Sequence, residues 1–167
     1  HMRWFESHLP EKDVSVRNIS LERLGFQIAG PRARDLLASV TRSDVSNDAL
    51  AFLSVAEMEV GLAPAIVCRI SYTGDLGYEI YVAAEQQLAL YHALTEAGKE
   101  FGLRPFGMRA IMSLRLEKGF GAWLREYKPD YTPAETGLDR FVRLQKPDFI
   151  GLEAALAERE KPPARRL

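Results

Sequence analysis

The sequence is poor in the residues that build disulfides, metal centres and membrane spans. Its 167 residues include one cysteine, Cys68, and three histidines, so an internal disulfide is excluded and a structural zinc site has almost no ligands. No apolar run approaches the ~18–20 residues that a membrane-spanning helix needs, and the first residues do not show a signal-peptide pattern. We therefore expect a soluble, cytoplasmic protein with no bound metal and no membrane partner.

An excess of charge of one sign is also missing. The chain carries 22 Lys and Arg against 23 Asp and Glu, for a formal net charge of −1. Binding to nucleic acid depends on clustered basic side chains that neutralise phosphates, so no nucleic-acid partner is expected. The hydrophobic fraction of 47% is sufficient for one core, because a domain of roughly 150 residues buries about 68–70% of its unfolded surface.

The ends of the chain differ from the rest. His1-Met2 is expected to be the remnant of a cleaved expression tag. Residues 158–167 are charged and interrupted by Pro162 and Pro163, which predicts a frayed tail or the start of a linker. Residues 3–157 are expected to form one domain.

Strand-like and helix-like patterns alternate without a regular βαβ rhythm. Strands are predicted at residues 24–29, 57–60, 65–72, 78–82 and 141–144. Helices are predicted at residues 31–40, 85–101, 106–118 and 151–160, with a short one at the capping box of Thr132 and Glu135. Because the strongest strands, 65–72 and 78–82, form a hairpin, the sequence predicts an α+β fold with an antiparallel sheet flanked by helices.

The most informative residue is Glu79, in the second strand of this hairpin. By alternation Glu79 shares a face with Gly77 and Tyr81, and its apolar neighbours take the other face. The simpler interpretation is an ordinary solvated sheet face. The functional interpretation is a carboxylate on a rigid strand beside an aromatic ring, which can accept two parallel N–H bonds from the edge of a guanidinium or a pterin.

Other chemistry is not indicated. The histidines have no neighbours at the spacing of a catalytic triad or a metal site, so nucleophilic and zinc chemistry are not expected and no metal ligand is predicted. Two further carboxylates, Asp75 in the hairpin turn and Glu126 in an aromatic loop, are expected to be solvated.

Five motifs occur along the chain in a specific order. They are Gly30-Pro31-x-Ala33-Arg34, Tyr72-Thr73-Gly74-Asp75-Leu76-Gly77-Tyr78-Glu79, Ser113-Leu114-Arg115-Leu116-Glu117-Lys118-Gly119, Thr132-Pro133-x-Glu135-x-Gly137-Leu138 and Asp148-Phe149-Ile150-Gly151. Together they resemble the tetrahydrofolate-dependent aminomethyltransferase family, which includes the glycine-cleavage T-protein. Within the family, the C-terminal parts of dimethylglycine and sarcosine dehydrogenases and oxidases are most similar at Glu117-Lys118-Gly119-Phe120, Trp123 and Lys146-x-Asp148-Phe149-Ile150-Gly151.

The resemblance implies the folate-binding domain of that family, with tetrahydrofolate as its cofactor. Glu79 matches the family's pterin-binding glutamate, and Tyr72 matches a ring that lines the folate pocket. The implied reaction transfers a one-carbon unit from a methylated amine, such as dimethylglycine or sarcosine, to tetrahydrofolate. The small-molecule partners would then be the folate and the methylated amine.

The resemblance also implies that the chain is a fragment. The family's catalytic Asp lies upstream of residue 1, and its C-terminal barrel would follow residue 160. We therefore expect no catalytic residue here, the missing remainder of the same chain as a partner, a flavin only on a missing upstream domain, and no activity from the fragment alone. Two alternatives stay open: a non-catalytic folate-binding or scaffold module, and a methyl-donor demethylase relative.

Overall fold

The computed structural model describes residues 1–166, which form two compact units. The first unit is His1–Leu114, and the second begins at Arg115. Leu167, the last residue of the predicted tail, lies outside the described residues.

The first unit is built on a four-stranded antiparallel sheet. Its strands are β1 (Arg23–Ala29), β2 (Val55–Val60), β3 (Ala63–Cys68) and β4 (Gly77–Ala83), in the order β1-β4-β3-β2. The predicted hairpin is confirmed as the β3–β4 pair, and the predicted α+β class is confirmed with it. The strand β4 lies inside the sheet, where it pairs with β1 on one side and with β3 on the other.

One face of this sheet forms the core of the unit. Ile28, Val67, Ile80 and Val82 alternate along their strands and are buried on this face. Two helices cover the same face: α2 (Ala33–Ser39) contacts β4, and α3 (Gln87–Gly98) contacts β1 and β4. The helices therefore leave the other face of the sheet to Glu79 and its neighbours.

The other helices are α1 (Met2–His8), α4 (Met108–Glu117) and α5 (Leu152–Glu160). The helices expected at 31–40, 85–101, 106–118 and 151–160 all form, although each is shorter than predicted or continues as 3₁₀ turns. α5 also includes the first residues of the predicted tail. Within residues 1–166, no helix has the length and apolar character that crossing a bilayer requires.

The predicted strand at 65–72 is too long. It ends at Cys68, because the amide of Ile70 donates to the carbonyl of Cys68 at 3.0 Å and turns the chain out of the ladder. Tyr72 therefore lies in the turn after the strand.

Two predictions in the second unit are wrong. Residues 141–144 form no strand: Asp139–Phe141 is a 3₁₀ turn, and the amide of Val142 donates back to Asp139 at 2.9 Å instead of to a neighbouring strand. The capping box forms, with the Thr132 amide 3.0 Å from Oε2 of Glu135. It starts only a turn, because Gly137 takes a left-handed conformation with φ 69°.

Candidate binding site on the open sheet face

Glu79 and Tyr81 lie on the face of β4 that the helices do not cover. The alternation predicted for this strand is confirmed, because Tyr78, Ile80 and Val82 are buried while Glu79 and Tyr81 are half-buried. Strand register gives Glu79 two cross-strand neighbours, Gln27 on β1 and Cys68 on β3. Three strands therefore contribute to the surroundings of the carboxylate.

The Tyr81 hydroxyl donates a hydrogen bond to Oε2 of Glu79 at 2.6 Å. This bond, with burial and the negative charge of Glu79, raises the pKa of Tyr81 to about 12. The phenol therefore keeps its proton at neutral pH and remains a donor to the carboxylate.

Gly25 on β1 lies directly opposite Tyr81 in the register. A Cβ atom at Gly25 would lie 2.8 Å from Cδ1 of the Tyr81 ring and 2.9 Å from its Cε1. Because real Cβ contacts do not come so close, any other side chain at position 25 would displace the ring. Because Gly25 has no side chain, β1 leaves the space that the Tyr81 ring of β4 occupies.

These residues enclose a shallow cavity of about 220 Å³, lined by Gly25, Phe26, Gln27, Glu79 and Tyr81. The Nε2 atom of Gln27 is buried and has no hydrogen-bond partner in the structure. An unsatisfied buried donor costs about 1–3 kcal/mol, so its presence calls for an explanation, of which a functional role is one. The Glu79 carboxylate, an acceptor, and the Gln27 amide, an unsatisfied donor, therefore lie at paired positions of β4 and β1 beside the cavity.

Tyr72 does not line this cavity. It is half-buried in the turn after β3, next to Ser71, which lines a second cavity of about 300 Å³ together with Phe52, Arg69 and Gly77. Gly77 and Glu79 lie on the same face of β4, two positions apart. The second cavity therefore adjoins the open face that carries Glu79.

Gly25 and Gln27 were not identified from the sequence. Both alternate with the buried face of β1, so the period-2 pattern of residues 24–29 contained the signal that they point away from the core. Their closeness to Glu79 depends on the pairing of β1 with β4, which are about 50 residues apart and whose register the pattern does not specify.

The Arg34 side chain explains part of the Gly30-to-Arg34 motif. Its Nε donates to the Tyr78 hydroxyl at 3.1 Å, and its Nη2 donates to Oδ1 of Asn47 at 2.6 Å. Tyr78 is fully buried on the core face of β4. Arg34 therefore satisfies the polar end of a core side chain on the strand that carries Glu79.

The second unit corrects one expectation. Glu126 was expected to be solvated, but its Oε2 accepts hydrogen bonds from Nη1 of Arg115 at 2.7 Å and from the amide of Ala122 at 2.8 Å. The bond from Arg115, followed by that from Ala122, lowers the pKa of Glu126 to about 2. Asp75, in contrast, is exposed as expected.

Comparison with known families gives one match over most of the chain. Residues 1–146 match the family described as the GCVT N-terminal domain. The chain is 43% identical over 169 aligned positions to mitochondrial dimethylglycine dehydrogenase of Homo sapiens, an alignment that covers 99% of this chain and 20% of that protein. The chain thus spans about a fifth of the length of this relative.

A bacterial relative and a solved structure extend the comparison. The aminomethyltransferase of Caldanaerobacter subterraneus subsp. tengcongensis is 33% identical over 165 positions, which cover 99% of this chain and 44% of that protein. The heterotetrameric sarcosine oxidase from Corynebacterium sp. U-96 superposes with a TM-score of 0.51 at 20% identity, over 61% of this chain and 51% of the oxidase chain. At that identity the superposition shows a shared fold.

Proposed function

Because the chain belongs to the family of the GCVT N-terminal domain, we propose that residues 3–157 supply the folate-binding part of an enzyme that transfers one-carbon units to tetrahydrofolate. The family match and the aminomethyltransferase relatives support a T-protein-like, folate-related role for the chain. The observation that carries the specific proposal is the half-buried Glu79 carboxylate, fixed on a central strand beside a cavity.

The residues of the cavity fit one edge of a pterin ring. A pterin presents adjacent N–H donors, and a carboxylate accepts such a pair with one oxygen for each donor. The unsatisfied Nε2 of Gln27 offers a donor nearby, and Tyr81 offers an aromatic wall. Tyr72 is proposed as a second ring of the folate pocket on the basis of the motif match alone, since it lines neither cavity, although its neighbour Ser71 lines the second.

The role of this chain is to bind and orient. Tetrahydrofolate, when bound, supplies the nitrogen atoms that accept the one-carbon unit. Glu79 would fix the pterin end of the molecule, and the rigid β-sheet would limit its rotation. Such positioning lowers the entropic cost of bringing two reactants together, which is a large part of catalysis in a transfer reaction. No residue of this chain is proposed as a general acid or base.

The proposed donor is a methylated amine such as dimethylglycine or sarcosine. Its support is the 41–43% identity to mammalian dimethylglycine dehydrogenases, against 32–37% to bacterial aminomethyltransferases. Because the chain spans only a fifth of the former, the amine site and any flavin are proposed for other parts of the full protein. The cytoplasm remains the proposed location, although the mammalian relatives are named as mitochondrial.

The test is a titration of the ¹⁵N-labelled protein with folinic acid, followed by amide chemical shifts so that millimolar binding is detected. We expect the largest shifts at residues 25–27 and 79–81. Glu79→Gln replaces one acceptor oxygen with a donor and should cost about 2–4 kcal/mol of affinity, or roughly 30-fold or more in Kd.

Glu57→Gln is the matched control. Glu57 is exposed on β2. It pairs with Ile66 on β3, which in turn pairs with Tyr81 on β4. Glu57 therefore lies on the same sheet face as Glu79, two strands away. Its variant should bind as the parent does. Absence of shifts, or a less than threefold effect of Glu79→Gln, would contradict the pterin role.

A further inference from the structure

We infer that Tyr81 is a positioning residue for Glu79 and that it can act only because residue 25 is glycine. In this arrangement the Tyr81 hydroxyl holds one oxygen of the carboxylate, and Gly25 makes room for the ring that carries the hydroxyl. The inference rests on the proposed folate site. It adds two residues that determine how tightly the site binds without themselves contacting the N–H edge of the pterin.

The need for positioning follows from the strand. Side chains two positions apart on a strand stand roughly parallel and about 7 Å apart at their Cα atoms, so nothing in the backbone directs the Glu79 carboxylate to one orientation. A glutamate side chain has three rotatable bonds and loses that freedom when it binds. The 2.6 Å bond from Tyr81 selects an orientation before any ligand arrives.

The bond leaves the carboxylate able to bind a ligand. Two carboxylate oxygens offer about four lone-pair positions, and Tyr81 occupies one of them, on Oε2. Oε1 and a second position on Oε2 remain for two parallel N–H donors. Tyr81 can therefore stay bonded to Glu79 while the carboxylate accepts the pair of donors that a pterin offers.

The donor is stable in its protonated form. The bond to Glu79 is the largest of the causes that raise the pKa of Tyr81 to about 12. At neutral pH the phenol is therefore an O–H donor and adds no second negative charge beside the carboxylate. The carboxylate keeps one partner across the whole physiological range.

Gly25 affects Tyr81 sterically, across the β1–β4 ladder. The register pairs Gly25 with Tyr81, and the 2.8 Å approach of a Cβ atom to the ring shows that even alanine would push the ring away. Moving the ring moves the hydroxyl, which would lengthen or break the bond to Glu79. A methyl group at position 25 of β1 should thus weaken ligand binding by the Glu79 carboxylate on β4, although it would not contact the carboxylate.

The experiment measures the Kd of folinic acid for four variants by the same titration. Tyr81→Phe removes the hydroxyl and keeps the ring, and Gly25→Ala adds the methyl group. We expect each to raise Kd roughly fivefold or more. Tyr78→Phe removes a hydroxyl on the opposite face of the same strand, where it accepts from Arg34, and Gly107→Ala adds a methyl group in open space. Both controls should change Kd less than about twofold.

A second measurement reports the bond itself and needs no ligand. With ¹³Cζ-labelled tyrosine, Tyr81 should titrate near 12 in the parent protein and closer to the ordinary value of about 10 in Glu79→Gln. A variant that had only loosened the fold would shift several tyrosines together. An unchanged Tyr81 titration in Glu79→Gln would show that the bond does not form, and would overturn the inference.

The outcomes separate this inference from the proposed function. If the parent binds folinic acid and Glu79→Gln does not, while Tyr81→Phe and Gly25→Ala bind as the parent does, the folate site stands and the positioning role is wrong. If folinic acid does not bind the parent, or binds Glu79→Gln equally well, the folate site is wrong and the inference fails with it.

Discussion

Arg115 and Glu126 form an ion pair between a buried guanidinium and a partly exposed carboxylate, which joins the end of α4 to the following loop. Nη1 of Arg115 donates to Oε2 of Glu126 at 2.7 Å and to the carbonyl of Phe120 at 2.9 Å. The Arg115 side chain is only 2% exposed and that of Glu126 is 33% exposed. A buried guanidinium requires such acceptors, because without them its charge is left uncompensated.

We therefore expect Glu126→Gln to lower the thermal stability of the protein by several degrees at pH 7. The glutamine is similar in size but carries no charge to balance Arg115. The measurement is the thermal unfolding midpoint, with Glu160→Gln at the exposed end of α5 as control. The control should stay within about 2 °C of the parent, and equal midpoints for the two variants would argue against a stabilising pair.

The same pair predicts a dependence on acid. The pKa of Glu126 falls from its ordinary 4.5 to about 2 in the folded protein, so its contribution to stability is fully present above the unfolded pKa. It should be lost as the pH falls from about 4.5 to about 2. Urea midpoints of the parent and of Glu126→Gln should converge over this range, whereas a constant gap would contradict the lowered pKa.

Leu124, at the tip of this loop, should tolerate glycine. Its φ is 62° and its side chain is 70% exposed, so the residue adopts a left-handed conformation that costs an ordinary residue about 1–2 kcal/mol. We expect Leu124→Gly to leave the free energy of unfolding unchanged or to raise it by up to about 1 kcal/mol. Leu156→Gly, within α5, should lower it by about 1 kcal/mol or more, and similar losses in both variants would contradict the left-handed backbone.

Gly61, in the β2–β3 turn, should resist substitution for two reasons. Its φ is 56°, and a Cβ atom would lie 2.4 Å from Cβ of Ala93 on α3. Gly102 has a similar φ of 71° with open space around it. Gly61→Ala should therefore lower the free energy of unfolding by about 1–3 kcal/mol more than Gly102→Ala. Adding Ala93→Gly should recover part of that difference, and no recovery would exclude the contact with α3 as its cause.

Cys68 reports on the register of β3 and β4. Burial, and then the negative charge of its cross-strand neighbour Glu79, raises the pKa of the Cys68 thiol. Alkylation by iodoacetamide at pH 8 should be slow, because the thiolate is the nucleophile. Glu79→Gln should accelerate the alkylation, while Glu57→Gln should have less effect. The same alkylation rate in the parent and in Glu79→Gln would argue against the pairing of Cys68 with Glu79.

The parts of the site that the sequence predicted are those that depend on local geometry. A strand alternates its side chains whatever its neighbours are, so residues 77–83 alone placed Glu79 and Tyr81 on one face. Their hydrogen bond is a consequence of the same spacing, but the pattern could not distinguish it from two solvated side chains. The alternation made Glu79 a candidate, and the resemblance to known motifs then implied a pterin-binding role for it.

The features of the site that the sequence analysis did not identify depend on contacts between residues far apart in the chain or in irregular loops. Gly25 and Gln27 meet Glu79 and Tyr81 only because β1 joins β4, a partner that comes about 50 residues later in the sequence. The ion pair of Arg115 and Glu126 depends likewise on the path of an irregular loop. At Thr132 the local signal was correct in its hydrogen bonds, yet with Gly137 in a left-handed conformation the segment forms a turn and no helix.

The strand order β1-β4-β3-β2 also sets the sequence in which the chain can assemble during synthesis. The β2–β3 hairpin is local and is completed when Cys68 has emerged. β1 leaves the ribosome earlier than either of these strands, but it has no partner in the sheet until β4 follows. The surface around Glu79, to which β1, β3 and β4 contribute, can therefore form only after β4 has been synthesised. A ligand that binds this surface would stabilise the β1–β4 pairing, which joins the neighbouring strands that lie farthest apart in the sequence.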